Sequence, residues 1–202
     1  MHRWRSIIAG LLVVALVTVG CASRTSVQAD PGWITLLDGD TGLENWTRFG
    51  DGNWRAVDGA IQIDGKTGAR NSVYLVTKSA YADFQIRIEF WVGDDGNSGI
   101  YMRCADPGNI LDTNCYEAQI SDRRPTYPTG SIVNLVEVSQ PKPKAGGKWN
   151  TYEITAKGSH LTVVLNGMLT AEVNDSKFAS GPIALQYSAG VVKYRKLQIR
   201  PL

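Results

Sequence analysis

Arg87, Glu89, Trp91, Tyr101, Arg103, Glu117, Gln119 and Gln186 occupy alternate positions in short runs whose other positions are apolar. Successive side chains of a β-strand point to opposite faces. Within Asp83–Val92, Phe84, Ile86, Ile88, Phe90 and Val92 therefore share one face, and Gln85, Arg87, Glu89 and Trp91 the other. The same parity sets Ile100 and Met102 against Gly99, Tyr101 and Arg103, and Tyr116, Ala118 and Ile120 against Glu117, Gln119 and Ser121. Late in the chain Ile183, Leu185 and Tyr187 oppose Ala184, Gln186 and Ser188. If these strands are neighbours, one outer sheet face presents the eight polar and aromatic residues together. Such a face suits carbohydrate, because sugar C–H faces stack on aromatic rings while hydroxyls pair with amides, carboxylates and guanidinium groups. The alternative is a solvated face with incidental cross-strand ion pairs.

Other chemistries are poorly supplied. The only His after the amino-terminal leader is His160, in a Gly-Ser-His turn context that reads as surface. That scarcity removes His-dependent triads and poly-His metal sites. With 21 Lys+Arg against 19 Asp+Glu, the chain also lacks the positive field that nucleic-acid binding needs, so no nucleic-acid partner is expected. No EF-hand spacing is present. A divalent cation such as Ca²⁺ is still admitted through carboxylates and carbonyls, but no ligand set can be named.

The elements that must position these residues begin after a leader. Arg3 and Arg5 precede an uncharged, mostly apolar run from Ile7 to Gly20, the build of an export signal and short for a spanning helix. Gly20-Cys21 resembles a bacterial lipoprotein processing site, with Cys21 as the lipidated residue; Thr18 stands where such sites usually carry Leu. The competing cut is at Val27-Gln28-Ala29, which would make the protein simply secreted. The expected organisation is a signal peptide over 1–20, a polar tether over 21–31 and one domain over 32–202. Loss of Arg3 and Arg5 leaves 19 basic against 19 acidic side chains, a net charge of zero. The expected location is the bacterial cell envelope, with the membrane touched only through the amino-terminal lipid. In an exported chain, Cys104 and Cys115 are expected to form a disulfide closing a short loop, worth about 2.5–3 kcal/mol in the chain-entropy model.

From Trp33 onward, short alternating runs are separated by Gly, Asn, Asp and Pro, with Asp58-Gly59 and Asn166-Gly167 as hairpin signals. No stretch sustains a helical period over three turns. About ten or more strands in one domain predict an all-β antiparallel sandwich or jelly roll.

The order of the motifs then resembles a known family. Leu36-Leu37-Asp38-Gly39-Asp40-Thr41-Gly42-Leu43-Glu44-Asn45-Trp46 and Trp54-Arg55-Ala56-Val57-Asp58-Gly59 are similar to its opening motifs. Asn97-Ser98-Gly99-Ile100-Tyr101-Met102-Arg103, followed by Tyr116-Glu117-Ala118-Gln119-Ile120-Ser121-Asp122, resembles its central signature. Lys148-Trp149-Asn150, Leu165-Asn166-Gly167 and Gly181-Pro182-Ile183-Ala184-Leu185-Gln186 complete the series. The family is the 3-keto-disaccharide hydrolase domain, formerly a domain of unknown function. The resemblance runs from about Trp33 to Leu202 and implies a two-sheet, concanavalin A-like jelly roll.

The resemblance also implies activity on 3-keto-glycosides. A C3 ketone acidifies the C2 proton; a base removes it, the enolate expels the C1 substituent, and water adds to the enone. Such a site needs a base near C2, a cation at the developing oxyanion and a sugar platform. On the matching positions the base is Glu117 and the oxyanion partner Arg103. Gln119, Asp122 and Trp91 orient the sugar, and Tyr101, Glu89 and Gln186 join them. Structural alternatives stand beside each role: an Arg103–Glu117 cross-strand salt bridge, a turn cap at Asp122, a turn residue at Asn97, and core aromatics at Trp46, Trp54 and Trp149. Many members continue the late Leu-Gln with Asp-His, where this chain has Tyr187-Ser188, and often carry Phe-Arg-Asn-Ile, where it has Tyr194-Arg195-Lys196-Leu197. That departure keeps open a non-catalytic carbohydrate-binding module. A structural envelope lipoprotein is the remaining alternative.

Overall fold

The computed structural model describes residues 32–65 and 72–202. The expected leader, the tether and Cys21 lie outside the described residues. Among the described residues no helix is long and apolar enough to cross a membrane.

The strands are β1 (Ile34–Leu37), β2 (Trp46–Phe49), β3 (Arg55–Val57), β4 (Ala60–Asp64), β5 (Val73–Tyr81), β6 (Phe84–Val92), β7 (Ser98–Met102), β8 (Tyr116–Ile120), β9 (Trp149–Lys157), β10 (His160–Leu165), β11 (Met168–Asn174), β12 (Gly181–Tyr187) and β13 (Val191–Pro201). They form two antiparallel sheets, as the jelly-roll expectation requires. The larger, eight-stranded sheet runs β11-β10-β9-β6-β13-β4-β3, with β1 also pairing β13. The smaller, five-stranded sheet runs β2-β5-β12-β7-β8.

Turn chemistry closes the hairpins where the dipeptides predict. Asp58 and Gly59 both take positive φ (50° and 70°), as do Asn166 and Gly167 (50° and 80°), the pattern of a two-residue turn whose twist matches its strands. The core fills the space between the sheets. Phe84, Ile86, Ile88, Phe90 and Val92 of β6 are buried there, facing Ile100 and Met102 of β7, Tyr116, Ala118 and Ile120 of β8, and Ile183, Leu185 and Tyr187 of β12. Trp46 and Trp54 are core residues as expected. Trp149 is not. It pairs in register with Trp91 on the outer face of the larger sheet, where the Arg195 guanidinium lies 4.0 Å from its ring centre.

The alternation expected within β6, β7, β8 and β12 holds and fails at Arg103, just past the end of β7, but the strands do not share one sheet. β7, β8 and β12 are neighbours in the smaller sheet, whereas β6 lies in the larger one. The polar residues of β6 and those of β7, β8 and β12 therefore occupy opposite outer faces of the sandwich.

The smaller sheet is covered on its outer face as well. Val73 and Leu75 of β5 enter the main core, while Val76 packs outward with Tyr101, Ala184, Cys104, Cys115 and Ile110 in a second apolar cluster that Phe49 and Tyr74 flank. Apolar residues on both faces of β5 mark a strand sandwiched between layers. The outer layer is the loop closed by the Cys104–Cys115 disulfide.

Candidate active site

The outer face of the smaller sheet is assembled by register. Tyr101 of β7 lies opposite Glu117 of β8 on one side and Ala184 of β12 on the other, and Gly99 lies opposite Gln119. The free edge of β8 is extended by the chain after the Thr129 turn: Gln119 N–H donates to Ser131 O (3.0 Å) and Val133 N–H to Glu117 O (3.0 Å). Glu117, Gln119, Tyr101 and Gln186 are thereby brought onto one patch.

Glu117 is the chemical centre of that patch. Only 2% of it is exposed, and its Oε1 has no hydrogen-bond partner. Burial disfavours the charged form and pushes its carboxyl up to about 7. A hydrogen bond with Tyr101 and the charge of Arg124 act against that rise, and Asp112 adds to it. The Tyr101 phenol is held far above its ordinary range, by burial first and the Glu117 charge second, so it stays protonated. Its hydroxyl accepts from Gln186 Nε2 at 2.9 Å. Gly99 makes room for the carboxylate: a Cβ there would strike Glu117 Oε1 and lie 2.9 Å from its Cγ.

Further polar atoms are left open nearby in the chain's pairing pattern. Gln119 Oε1 accepts from Ile120 N–H (3.1 Å), but its Nε2 has no partner, and Gln186 Oε1 has none. Asn97 Oδ1 is likewise buried and unpartnered. Buried polar groups are rarely left unpaired, because each lost hydrogen bond costs roughly 1–3 kcal/mol. A hydroxyl group can both donate to such acceptors and accept from such donors.

Arg103 does not join this patch. β7 ends at Met102, and Arg103 takes a positive φ of 50°, which breaks the alternation that would have placed it beside Tyr101. Its guanidinium donates to Ala82 O (2.7 Å), Gly158 O (2.7 Å) and Phe178 O (3.3 Å) and pairs with Asp83 Oδ1 at 2.9 Å. Its charge acts on Tyr116, a core-facing residue, and it is itself 1% exposed. Arg103 is a buried clamp on the turns at one end of the sandwich, and its ion pair is with Asp83 rather than Glu117. This corrects its assignment as the oxyanion partner.

Asp122 is corrected in the same way. Its Oδ1 accepts from Thr129 Oγ1 (2.7 Å), and its Oδ2 accepts from Ala145 N–H (2.8 Å) and Gly146 N–H (2.9 Å). Both oxygens fasten loops. Trp91 and Glu89 are on the far face, where Lys193 lies 5.5 Å from the Trp91 ring centre and Arg195 Nε donates to Glu89 Oε2 at 2.7 Å. His160 is at the surface, 2.8 Å from Glu172.

Several residues of the patch escape the strand-by-strand reading. Arg124 and Asp112 sit on irregular segments whose approach to Glu117 no periodicity announces. Tyr74 meets Tyr101 edge-on with ring centres 5.5 Å apart. Ser72 Oγ lies 2.5 Å from Ser188 Oγ and 3.5 Å from Gln186 Nε2. Ser188 thus takes a place beside the patch while Tyr187 turns into the core. Among the described residues, no group of three or more His, Cys, Asp or Glu side chains gathers as a metal ion would need.

The fold and this site define a carbohydrate-active domain of glycoside-hydrolase-like kind. The chain belongs to the family of 3-keto-alpha-glucoside-1,2-lyase-like domains, whose model matches residues 32–200. No curated protein matches it. Among solved structures it is similar to a candidate glycosyl hydrolase from Parabacteroides distasonis, with 19% identity and a TM-score of 0.73 over 85% of this chain and 94% of that one. A second such protein from the same organism matches at 24% identity and a TM-score of 0.67, over 84% of this chain and 99% of that one. A carbohydrate-binding module from Bacillus subtilis matches at 14% identity and a TM-score of 0.57, over 84% and 95% of the two chains.

Proposed function

We propose that this protein cleaves 3-keto-glycosides by elimination followed by hydration, with Glu117 as the base. The observation that carries the reading is a buried carboxylate, pushed up to about 7, with one oxygen unpartnered on a patch of open amide groups. A base with that pKa is half ionised near neutral pH and holds a proton well enough to return it. Glu117 takes the C2 proton, and the C2–H electrons pass into an enolate with the C3 oxygen. The enolate re-forms the C3 carbonyl as the C1–O bond breaks, leaving a C1=C2 double bond. The leaving oxygen takes up a proton, and water adding across C1 and C2 yields 3-keto-glucose. Tyr101, held protonated, is a donor beside the base, and the open groups of Gln119 and Gln186 suit sugar hydroxyls. The Arg124 charge acts on Glu117 and favours its ionised form. Export and a lipid at Cys21 belong to the same reading and put the domain in the cell envelope.

Incubating the mature protein with a 3-keto-glucoside is expected to release 3-keto-glucose. Glu117→Gln is expected to lower kcat by about 10²–10⁴-fold, the usual worth of a general base. A variant with full rate would remove Glu117 as the base. One observation favours a sugar-binding module without turnover: Arg103, the cation expected at the oxyanion, is tied to Asp83 and backbone carbonyls. Tight binding of the glycoside with no product released would select that reading.

A further inference from the structure

The disulfide loop that roofs Glu117 encloses a hollow of its own. About 280 Å³ lies between Gly108–Leu111 of the loop and Phe49, Ser72 and Tyr74 of the sheet. We infer that this hollow is a subsite for the group attached at C1 of the sugar, and that Ile110 is the gate between it and Glu117. The inference rests on the reading of Glu117 as the base, since it places the bond to be broken between the two.

The lining has the character of a ring-binding pocket. Phe49 and Tyr74 supply aromatic walls, Leu111 is 44% exposed at the mouth, and Ser72 and Asn109 add a few polar groups. Mostly apolar walls with sparse polar groups suit a flat group with an apolar face, such as an aryl ring or a second pyranose. A chain of contacts links the lining to the carboxylate. Ser72 reaches Gln186, Gln186 Nε2 donates to the Tyr101 hydroxyl, and Tyr101 lies opposite Glu117. Ile110 lines the hollow, is only 5% exposed and packs with Tyr101, Val76 and Ala184.

The loop is bonded largely within itself. Ala105 N–H donates to Asn114 O at the neck beside the disulfide. Asn109 N–H to Asp106 O, Leu111 N–H to Asn114 Oδ1 and Asn114 Nδ2 to Asn109 O are bonds within the loop. Asn134 Nδ2 to Asp112 Oδ2 (3.3 Å) and Lys177 Nζ to Thr113 O (3.2 Å), both exposed, tie its tip to other segments; Cys104 N–H to Pro182 O (3.4 Å) ties its neck to β12, and Ile110 ties it to the apolar cluster. A segment satisfied internally and held at its neck opens without breaking sheet hydrogen bonds. Displacing Ile110 would join the hollow to the Glu117 patch.

The test titrates the mature protein with phenyl glucoside and with methyl glucoside, both unoxidised so that binding is read without turnover. Methyl and ring NMR signals of Ile110, Leu111 and Tyr74 report the hollow. Phenyl glucoside is expected to shift those signals and to bind at least about fivefold more tightly than methyl glucoside. Leu111→Trp, an exposed change that fills the mouth, is expected to remove that advantage. Equal affinities, no binding of either sugar, or phenyl glucoside binding without shifts at Ile110 and Leu111 would overturn the subsite. Failure of Glu117 as the base reads differently: phenyl glucoside would still shift the hollow signals, while no product would come from 3-keto-glucosides.

Discussion

The two outer faces of the sandwich are made from strands of the same alternating pattern, yet they are physically unlike. On the larger sheet the polar side chains answer one another: Arg195 pairs with Glu89, Arg200 with Gln85, and guanidinium groups lie over Trp33 and Trp149. On the smaller sheet Glu117, Gln119 and Gln186 are buried under a disulfide loop, and each leaves an atom unpartnered. The ion pairs of the larger sheet contribute little by themselves, because exposed pairs are screened and entropically costly, and that face too leaves Trp33 Nε1 and Arg200 Nε buried without a partner. An unsatisfied, roofed face holds its groups in wait for a ligand. The buried carboxylate of Glu117, pushed up to about 7, locates the chemistry better than charge, aromatic content or unpartnered atoms do, since both faces have these.

Charge burial offers the largest way to sharpen the contrast. In the folded chain Glu117 titrates near 7 rather than at the ordinary 4.5. Below the ordinary value both states hold the proton, and the fold has its full stability. As pH rises from about 4.5 to 7 the unfolded chain ionises first, so stability falls. Above 7 the loss, about 3 kcal/mol, is complete. Glu117→Gln lacks this loss. Urea denaturation should therefore show the variant gaining about that much on wild type between pH 4 and pH 8. A difference that stays flat with pH would mean that Glu117 is not desolvated.

Next in size is Gly99→Ala. Its methyl group collides with the Glu117 side chain, and displacing that side chain should lower stability by about 1–3 kcal/mol and cleavage of 3-keto-glucosides by more than about tenfold. Unchanged denaturation and unchanged rates would show that Glu117 does not lie over Gly99. The smallest effect belongs to the other face. Arg195→Ala removes an ion pair with Glu89 and a cation–π contact with Trp149, yet both partners are partly exposed. Less than about 1 kcal/mol should be lost, with turnover unaltered. A large loss of turnover would move the site to the larger sheet.

How these faces came to be confused in the sequence has a plain physical cause. Alternation reports which side of a strand is buried, so the core residues of β6, β7, β8 and β12 and the hairpins at Asp58-Gly59 and Asn166-Gly167 were legible. It carries no information on which sheet a strand joins. Glu89 and Trp91 thus read as neighbours of Glu117 although the whole core lies between them. Arg103 failed for a different reason. A left-handed backbone is signalled by Gly or Asn, and nothing in Met102-Arg103-Cys104 announces one, so simple alternation puts the Arg103 side chain on the wrong face. Asp122 was legible as a turn residue but not as the anchor of Ala145 and Gly146, which lie more than twenty positions away. Val73-Tyr74-Leu75-Val76 of β5 has no polar face and so gives no alternation signal, and that same absence is the trace of the loop covering it.

Proton removal from C2 can be watched without waiting for bond cleavage. With a 3-keto-glucoside in deuterated buffer, proton NMR of the substrate and of the released 3-keto-sugar follows the C2 signal directly. The account predicts that wild-type protein replaces the C2 proton by deuterium, with a rate that rises through an apparent pKa near 7, and that Glu117→Gln does not. Product released with its C2 proton intact, or exchange that persists in Glu117→Gln, would contradict it.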